Sequence, residues 1–286
     1  MIKVRNAISA AAIILFAISA GAAHDHEGPS YESFASAQSA ASESCRPMLV
    51  NFGGPGCGPC ERLRRETLSD TAVGAMIAER FEAAQVNAGT EPELATRFLV
   101  HQFPTVKFMD ADGTVVHDHR GFAAAEEFLE VLKEGYQAHE ALVHARALAA
   151  EAGEEASAEV ALEIARSFLA AQQYESAARW ARPALEEMPE DAIEMRADAA
   201  FVLGFALVQI GEPRPGGEHL ESALSLAANA AWAWEARVKL GYAWLQTDRR
   251  EAAAELLREV AETEEVDRMI RYEARLLLRW AGLEVP

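Results

Sequence analysis

Two cysteines separated by two residues, Cys57-Gly58-Pro59-Cys60, are the side chains of this sequence best suited to chemistry. That spacing lets both sulfurs meet in a disulfide or stand together as a dithiol. The pair falls where an apolar run ends in a glycine-rich loop and a helical pattern begins. At a helix start the backbone N–H groups lack intrahelical partners and carry partial positive charge. A thiolate at Cys57 is therefore stabilised, and its pKa falls from ~8.5 towards ~7 or below. Pro59 has no N–H to lose and suits the first helical turn. Cys57 is thus the expected nucleophile and Cys60 the resolving thiol, with Gly58 and Pro59 shaping the turn between them. A zinc site and a purely structural bridge are the competing uses of such a pair. Zinc wants four ligands, and the third cysteine, Cys45, supplies no second pair. The expectation is therefore no metal and no cofactor beyond the Cys57–Cys60 disulfide itself.

The elements that must position this pair follow from the flanking pattern. Met48-Leu49-Val50-Asn51-Phe52 is a short apolar run between Pro47 and Gly53-Gly54-Pro55-Gly56, which predicts a buried strand ending in a loop. Helical spacing runs from Cys60 to about Leu68, and Ser69-Asp70 caps a second helical piece reaching Phe81. A strand is expected over Phe81–Asn87, a helix over Pro92–Val100 and a third strand over Thr105–Met109. Asp112-Gly113 then sits between two β-prone runs, the chemistry of a hairpin turn. Helical period returns over 123–137, so the order is that of an α/β layer with a mixed sheet.

Residues 47–135 resemble a thioredoxin domain. The resemblance is carried by Leu49-Val50-Asn51-Phe52, by Cys57-Gly58-Pro59-Cys60, by Phe103-Pro104-Thr105 and by Gly121; Glu66-Thr67-Leu68-Ser69-Asp70 is similar to exported thioredoxin-like proteins. It implies that Pro104 is a cis-proline facing the sulfurs, and that Gly56, Phe103, Pro104 and Thr105 meet substrate, which pairs with the exposed backbone as an added strand. The departures also matter. Gly56 stands where thioredoxins usually carry Trp, so a large apolar contact surface is missing. Glu61 stands where a basic residue is common and is expected to disfavour the thiolate slightly. Asn51 and Gln85 replace the buried acid and its Lys partner, so both are read as residues supporting the motif.

Around this domain, expected over 45–137, the sequence changes character. Lys3 and Arg5 precede an apolar run from Ala7 to Ala20 and the small residues Ala20-Gly21-Ala22, which reads as a cleavable signal peptide over 1–23, with an uncleaved anchor as the alternative, and points to the periplasm or the outside of the cell. Residues 24–44 read as a tether with one short helix around Tyr31–Ser39. The terminal His24-Asp25-His26 has a weak copper- or nickel-binding pattern. From 138 to 286 strand signals vanish, and small residues recur at fixed offsets: Ala165, Phe168, Ala177 and Ala184; Gly204, Leu207, Gly216 and Ala223; Gly241, Trp244, Ala253 and Val260. This spacing resembles tetratricopeptide repeats, with turns at Gln172-Gln173-Tyr174, Gly211-Glu212-Pro213 and Thr247-Asp248-Arg249 and a capping helix over 266–281. The expected architecture is a thioredoxin fold followed by an all-α solenoid.

A net charge of −19 excludes nucleic acid and anionic lipid as natural partners, and residues 138–286 carry 27 acidic against 15 basic side chains. Protein partners remain: disulfide or dithiol substrates, and a thiol donor or acceptor upstream. The function expected is an exported thiol:disulfide oxidoreductase whose repeats dock partners. The alternative is a chaperone or assembly factor using the thioredoxin-like domain as a scaffold. Cys45 reads as an inert small hydrophobe near the start of a strand, with pairing to another chain as the alternative. His117-Asp118-His119 reads as a solvated hairpin with both His on one face, and Trp232, Trp234, Trp244 and Trp280 as repeat packing, the alternative being that one of them lines a partner groove.

Overall fold

The computed structural model describes residues 31–153 and 156–285. Residues 1–23, read above as a signal peptide, and His24-Asp25-His26 lie outside the described residues. The apolar run before the cysteines forms β1 (Met48–Gly53), buried along its whole length. β2 (Glu82–Asn87) lies parallel to β1 on one side, and β3 (Thr105–Met109) lies antiparallel on the other, followed by β4 (Val115–Arg120). The sheet order is β2-β1-β3-β4, with Asn51 opposite Gln85 and Phe52 opposite Thr105. β1, which leads into the cysteines, is therefore held from both sides.

Alternation along β1 sends its side chains to two cores. Met48, Val50 and Phe52 pack with α1 (Phe34–Ser44) and α4 (Pro92–Arg97) through Phe34, Ala37, Ala41 and Phe98. Leu49 faces the opposite layer with Leu63, Val73, Ile77, Phe128 and Leu132. That layer consists of α2 (Gly58–Leu63), a π turn (Arg64–Leu68), α3 (Thr71–Arg80) and α5 (Ala125–Ala152). Asp70 caps α3 by accepting from the N–H groups of Ala72 and Val73.

The expected tether is in part a structural element. Phe34, Ala37 and Ala41 bury one face of α1 in the core, and the Phe34 ring lies 5.4 Å from that of Phe98. Backbone bonds from Glu32 to Ala83 and from Gln85 to Glu32 add residue 32 to the edge of β2. Composition misled because Ser and Ala fill the exposed face of a short helix as readily as they fill a linker. Cys45 also differs from expectation. It is exposed, in the left-handed C-cap of α1, rather than packed in the strand.

No residue breaks α5 at 137. It continues to Ala152, burying Phe128 and Leu132 in the sheet domain and Leu142 and Ala145 beyond it. The chain then forms α6 (Ala158–Ala170), α7 (Tyr174–Glu187), α8 (Ile193–Gln209), α9 (Pro213–Leu226), α10 (Ala233–Gln246), α11 (Arg250–Glu262) and α12 (Arg268–Trp280). Each packs on the next, and α6, α8, α10 and α12 also touch in turn, the arrangement of stacked hairpins in a solenoid. The small residues of the repeat pattern are buried at the crossings, and Trp244 is half-buried. A Cβ on Gly204 would lie 2.8 Å from the carbonyl oxygen of Gly216, so this crossing requires glycine.

Candidate functional site

Cys57 is the N-cap of α2, with extended backbone angles, and its sulfur accepts the N–H of Cys60 at 3.1 Å. The two residues are joined as a disulfide with Cα atoms 5.3 Å apart. Gly58 and Pro59 occupy the first turn of α2, and Gly56 precedes the pair with a φ of 69°, in the left-handed region. A Cβ on Gly56 would meet nothing within 4 Å, so the loop is open on the side of Cys57. Both cysteines are half-buried beside a cleft of about 570 Å³.

The cleft brings together Asn51, Gly56, Cys57, Gly58, Cys60 and Gln85. Asn51 is buried on the face of β1 that α2 covers. Its amide N–H donates to Gln85 Oε1 at 2.9 Å, and Gln85 Nε2 donates back to the Asn51 carbonyl at 3.0 Å. Asn51 Oδ1 is buried without a hydrogen-bond partner among the described residues. A Cβ placed on Gly53 would lie 3.5 Å from Gln85 Nε2 and 3.8 Å from the Cys60 sulfur, so Gln85 and Cys60 approach Gly53 from the same side.

Phe103, Pro104 and Thr105 do not line this cleft, and Phe103 packs against Gly54 of the motif loop. The Phe103–Pro104 peptide bond is cis. The Pro104 carbonyl accepts from the Gly121 N–H at 2.8 Å, and Thr105 Oγ1 donates to the Gln102 carbonyl at 2.9 Å. Neither backbone polar group of Phe103 has a backbone partner among the described residues. The Phe103 ring covers Gly54 so closely that a Cβ there would come within 2.8 Å of Cδ2. Loop and ring thus fix each other.

Glu61 stands beside Cys60 as a compensated charge. Arg64 Nη2 binds Glu61 Oε1 at 2.5 Å, and this hydrogen bond holds the Glu61 carboxyl below the usual range. The expected opposition to a thiolate is correspondingly offset. Sequence reasoning passed over Arg64, although the i, i+3 spacing from Glu61 on a helix was a usable signal. The Phe103–Gly54 contact carries no sequence signal, because it joins segments about fifty residues apart. Among the described residues no group of three or more His, Cys, Asp or Glu is placed to hold a metal ion, and no helix is long and apolar enough to cross a membrane.

Residues 34–136 match the family model described as a thioredoxin-like domain, a range that includes α1. Protein disulfide-isomerase A2 of Pongo abelii is 36% identical over 87 residues, covering 30% of this chain and 17% of that protein. A thioredoxin of Griffithsia pacifica is 33% identical over 63 residues, 22% of this chain and 55% of its own. The solved thioredoxin of Thermus thermophilus is 26% identical over 37% of this chain and 86% of its own, with a TM-score of 0.35. The chain spans about a fifth or less of the first curated relatives it matches, 17% and 21% of their length.

Proposed function

We propose, from the premise that residues 34–136 form a thioredoxin-like domain, that this protein is an exported thiol:disulfide oxidoreductase acting on protein substrates through Cys57 and Cys60. The observation that carries the reading is the cap itself. The Cys57 sulfur accepts the N–H of Cys60 at a helix start beside an open cleft, the setting in which a thiolate is favoured. In the reduced chain the Cys57 thiolate attacks a substrate disulfide. A Cys57–substrate S–S bond forms, the substrate bond breaks, and the departing thiolate takes a proton. Cys60 then loses its proton and attacks the Cys57 sulfur. The second substrate thiol leaves, the substrate has gained two electrons, and the Cys57–Cys60 disulfide has re-formed. The relative potentials set which way the cycle runs. The unpaired backbone of Phe103 supplies a short edge on which an extended substrate segment adds.

The helical part, tetratricopeptide-like in its spacing, contains no cysteine and serves to dock partners. Export follows from the basic start, the apolar run and the small residues of positions 1–23. A scaffold without exchange chemistry would not need both sulfurs, and the two cysteines are intact. Insulin reduction in the presence of a small dithiol tests the reading. The wild-type chain should precipitate the insulin B chain well above the uncatalysed rate, and Cys57→Ser should return it to background; equal rates for the two would leave the scaffold as the function.

A further inference from the structure

A chain of four aromatic rings lies away from the cysteines, in a groove of about 450 Å³ that α6, α8 and α10 line together. The Trp232 and Phe201 rings stack at 4.7 Å and 6°, Phe205 stands edge-on to Phe201, and Tyr174 stacks on Phe205 at 6.2 Å. The Trp232 indole N–H donates to Asp198, which is also paired with Arg166, so the ring is held in place by a satisfied carboxylate. Glu235 lines the same groove and has neither a hydrogen bond nor an ion pair among the described residues. Burial pushes its carboxyl up from the usual range, and Glu273 adds to this against Lys239. Lys239 is bound to Glu273 at 2.6 Å, with its ammonium 5.0 Å from the Phe205 ring.

An aromatic wall beside a carboxylate short of counter-charge suits one kind of guest. Ring faces attract cations, a partly desolvated carboxylate gains from a hydrogen-bonding cation, and a planar guanidinium satisfies both at once. A purely apolar guest would leave Glu235 more deeply buried and still unpaired, at a cost. The excess of acid over base in residues 138–286 favours the same sign of partner. We propose that this groove binds the guanidinium of an arginine displayed by a protein partner, between the Phe201–Trp232 stack and Glu235. The proposal deepens the docking role given to the repeats. It does not involve the sulfurs, so loss of exchange activity would sink the oxidoreductase reading and leave this one standing.

The test is a titration of the full chain with N-acetyl-arginine amide, followed on the indole N–H resonance of Trp232, which is assigned by its loss in Trp232→Phe. N-acetyl-citrulline amide, of the same shape without the charge, is the control. Arginine should give a saturable shift and citrulline about tenfold weaker binding, within the range of a desolvated cation on an aromatic face. Glu235→Gln, which keeps the shape of the side chain, should weaken arginine about fivefold, as loss of a charge-assisted hydrogen bond does. The same variant should leave insulin reduction unchanged and should melt no lower than the wild type, because it removes a carboxylate that burial disfavours. Equal binding of citrulline, a shift that never saturates, or full arginine affinity in Glu235→Gln would each overturn the proposal.

Discussion

At the scale of single residues, the Asn51–Gln85 pair that shares a cleft with Cys60 is expected to slow the second half of the proposed exchange. Resolution requires Cys60 to lose a proton, and the neighbouring side chains, Asn51 and Gln85, offer amides without useful basicity. The Asn51 amide donates to Gln85 Oε1 and Gln85 Nε2 donates to the Asn51 main-chain carbonyl, which leaves Asn51 Oδ1 buried and unpartnered among the described residues. Asn51→Asp would place a carboxylate there, and burial would raise its pKa towards neutrality, where it serves as a base. The variant should resolve the mixed disulfide on the order of tenfold faster, a small share of what a positioned base can supply. It should also be less stable, because a buried carboxylate lacks a cation. Acid-quench trapping of the mixed disulfide measures the rate, and unchanged trapping in a folded variant would show that proton removal by this position is not limiting. Much of this site was readable in advance, since the cysteines, Asn51 and Gln85 are fixed by motif and strand register. The Arg64–Glu61 pair and the seat of Phe103 on Gly54 were not, because side-chain partners across a fold leave no periodicity to read.

At the scale of elements, β4 and the crossing of α8 with α9 show what packing adds to pattern. Alternation places His117 and His119 on one face of β4, as the sequence predicts, but α5 covers that face where a solvated hairpin was expected. The His119 ring stands edge-on to Phe128, its Nε2 buried without a partner, and His117 lies 3.5 Å from Glu134. Burial lowers the pKa of both imidazoles, outweighing the opposing effect of Glu134, Glu127 and Asp118. The folded state therefore holds them neutral at a pH where the unfolded chain, with His near ~6.5, already takes up protons. Their contribution to stability is complete above the unfolded value and falls as the pH drops through it towards the lower folded values. Urea unfolding at neutral and mildly acidic pH should show the loss, and His119→Gln should narrow the gap between the two; an identical gap would assign the acid sensitivity elsewhere. At the helix crossing, Gly204→Ala would drive a methyl group into the Gly216 carbonyl and Leu220, costing about 1–3 kcal/mol as overpacking does. A melting temperature equal to wild type would mean that α9 can retreat without loss.

At the scale of the whole molecule, α1 and α5 carry the packed structure past both ends of the 45–137 span that the composition suggests for the sheet domain. The alternation of strands and helices, the hairpin at Asp112-Gly113 and the small-residue spacing of the helices were all legible, because each is a local pattern repeated over many residues. The role of α1 and the length of α5 were not. Both depend on what lies across the fold: the sheet face that Phe34 meets, and α6, which packs on the second half of α5. A fragment of residues 41–137 cuts through both. It deletes Phe34 and Ala37 from the core beneath β1 and removes the turns of α5 that carry Leu142 and Ala145. Loss of the Phe34 side chain alone should cost about 1.5–3 kcal/mol by area removed from water. A fragment of residues 31–152 keeps both faces of the sheet covered, although it exposes the side of α5 that α6 protects. The longer fragment should therefore melt cooperatively and retain most exchange with small disulfides, whereas 41–137 should be markedly less stable, with reduced activity that follows its folded fraction. Thermal melts and exchange rates of the two fragments side by side decide the matter. Equal stability would mean that α1 only rests on the sheet and that the unit does begin near residue 45, as its sequence suggests.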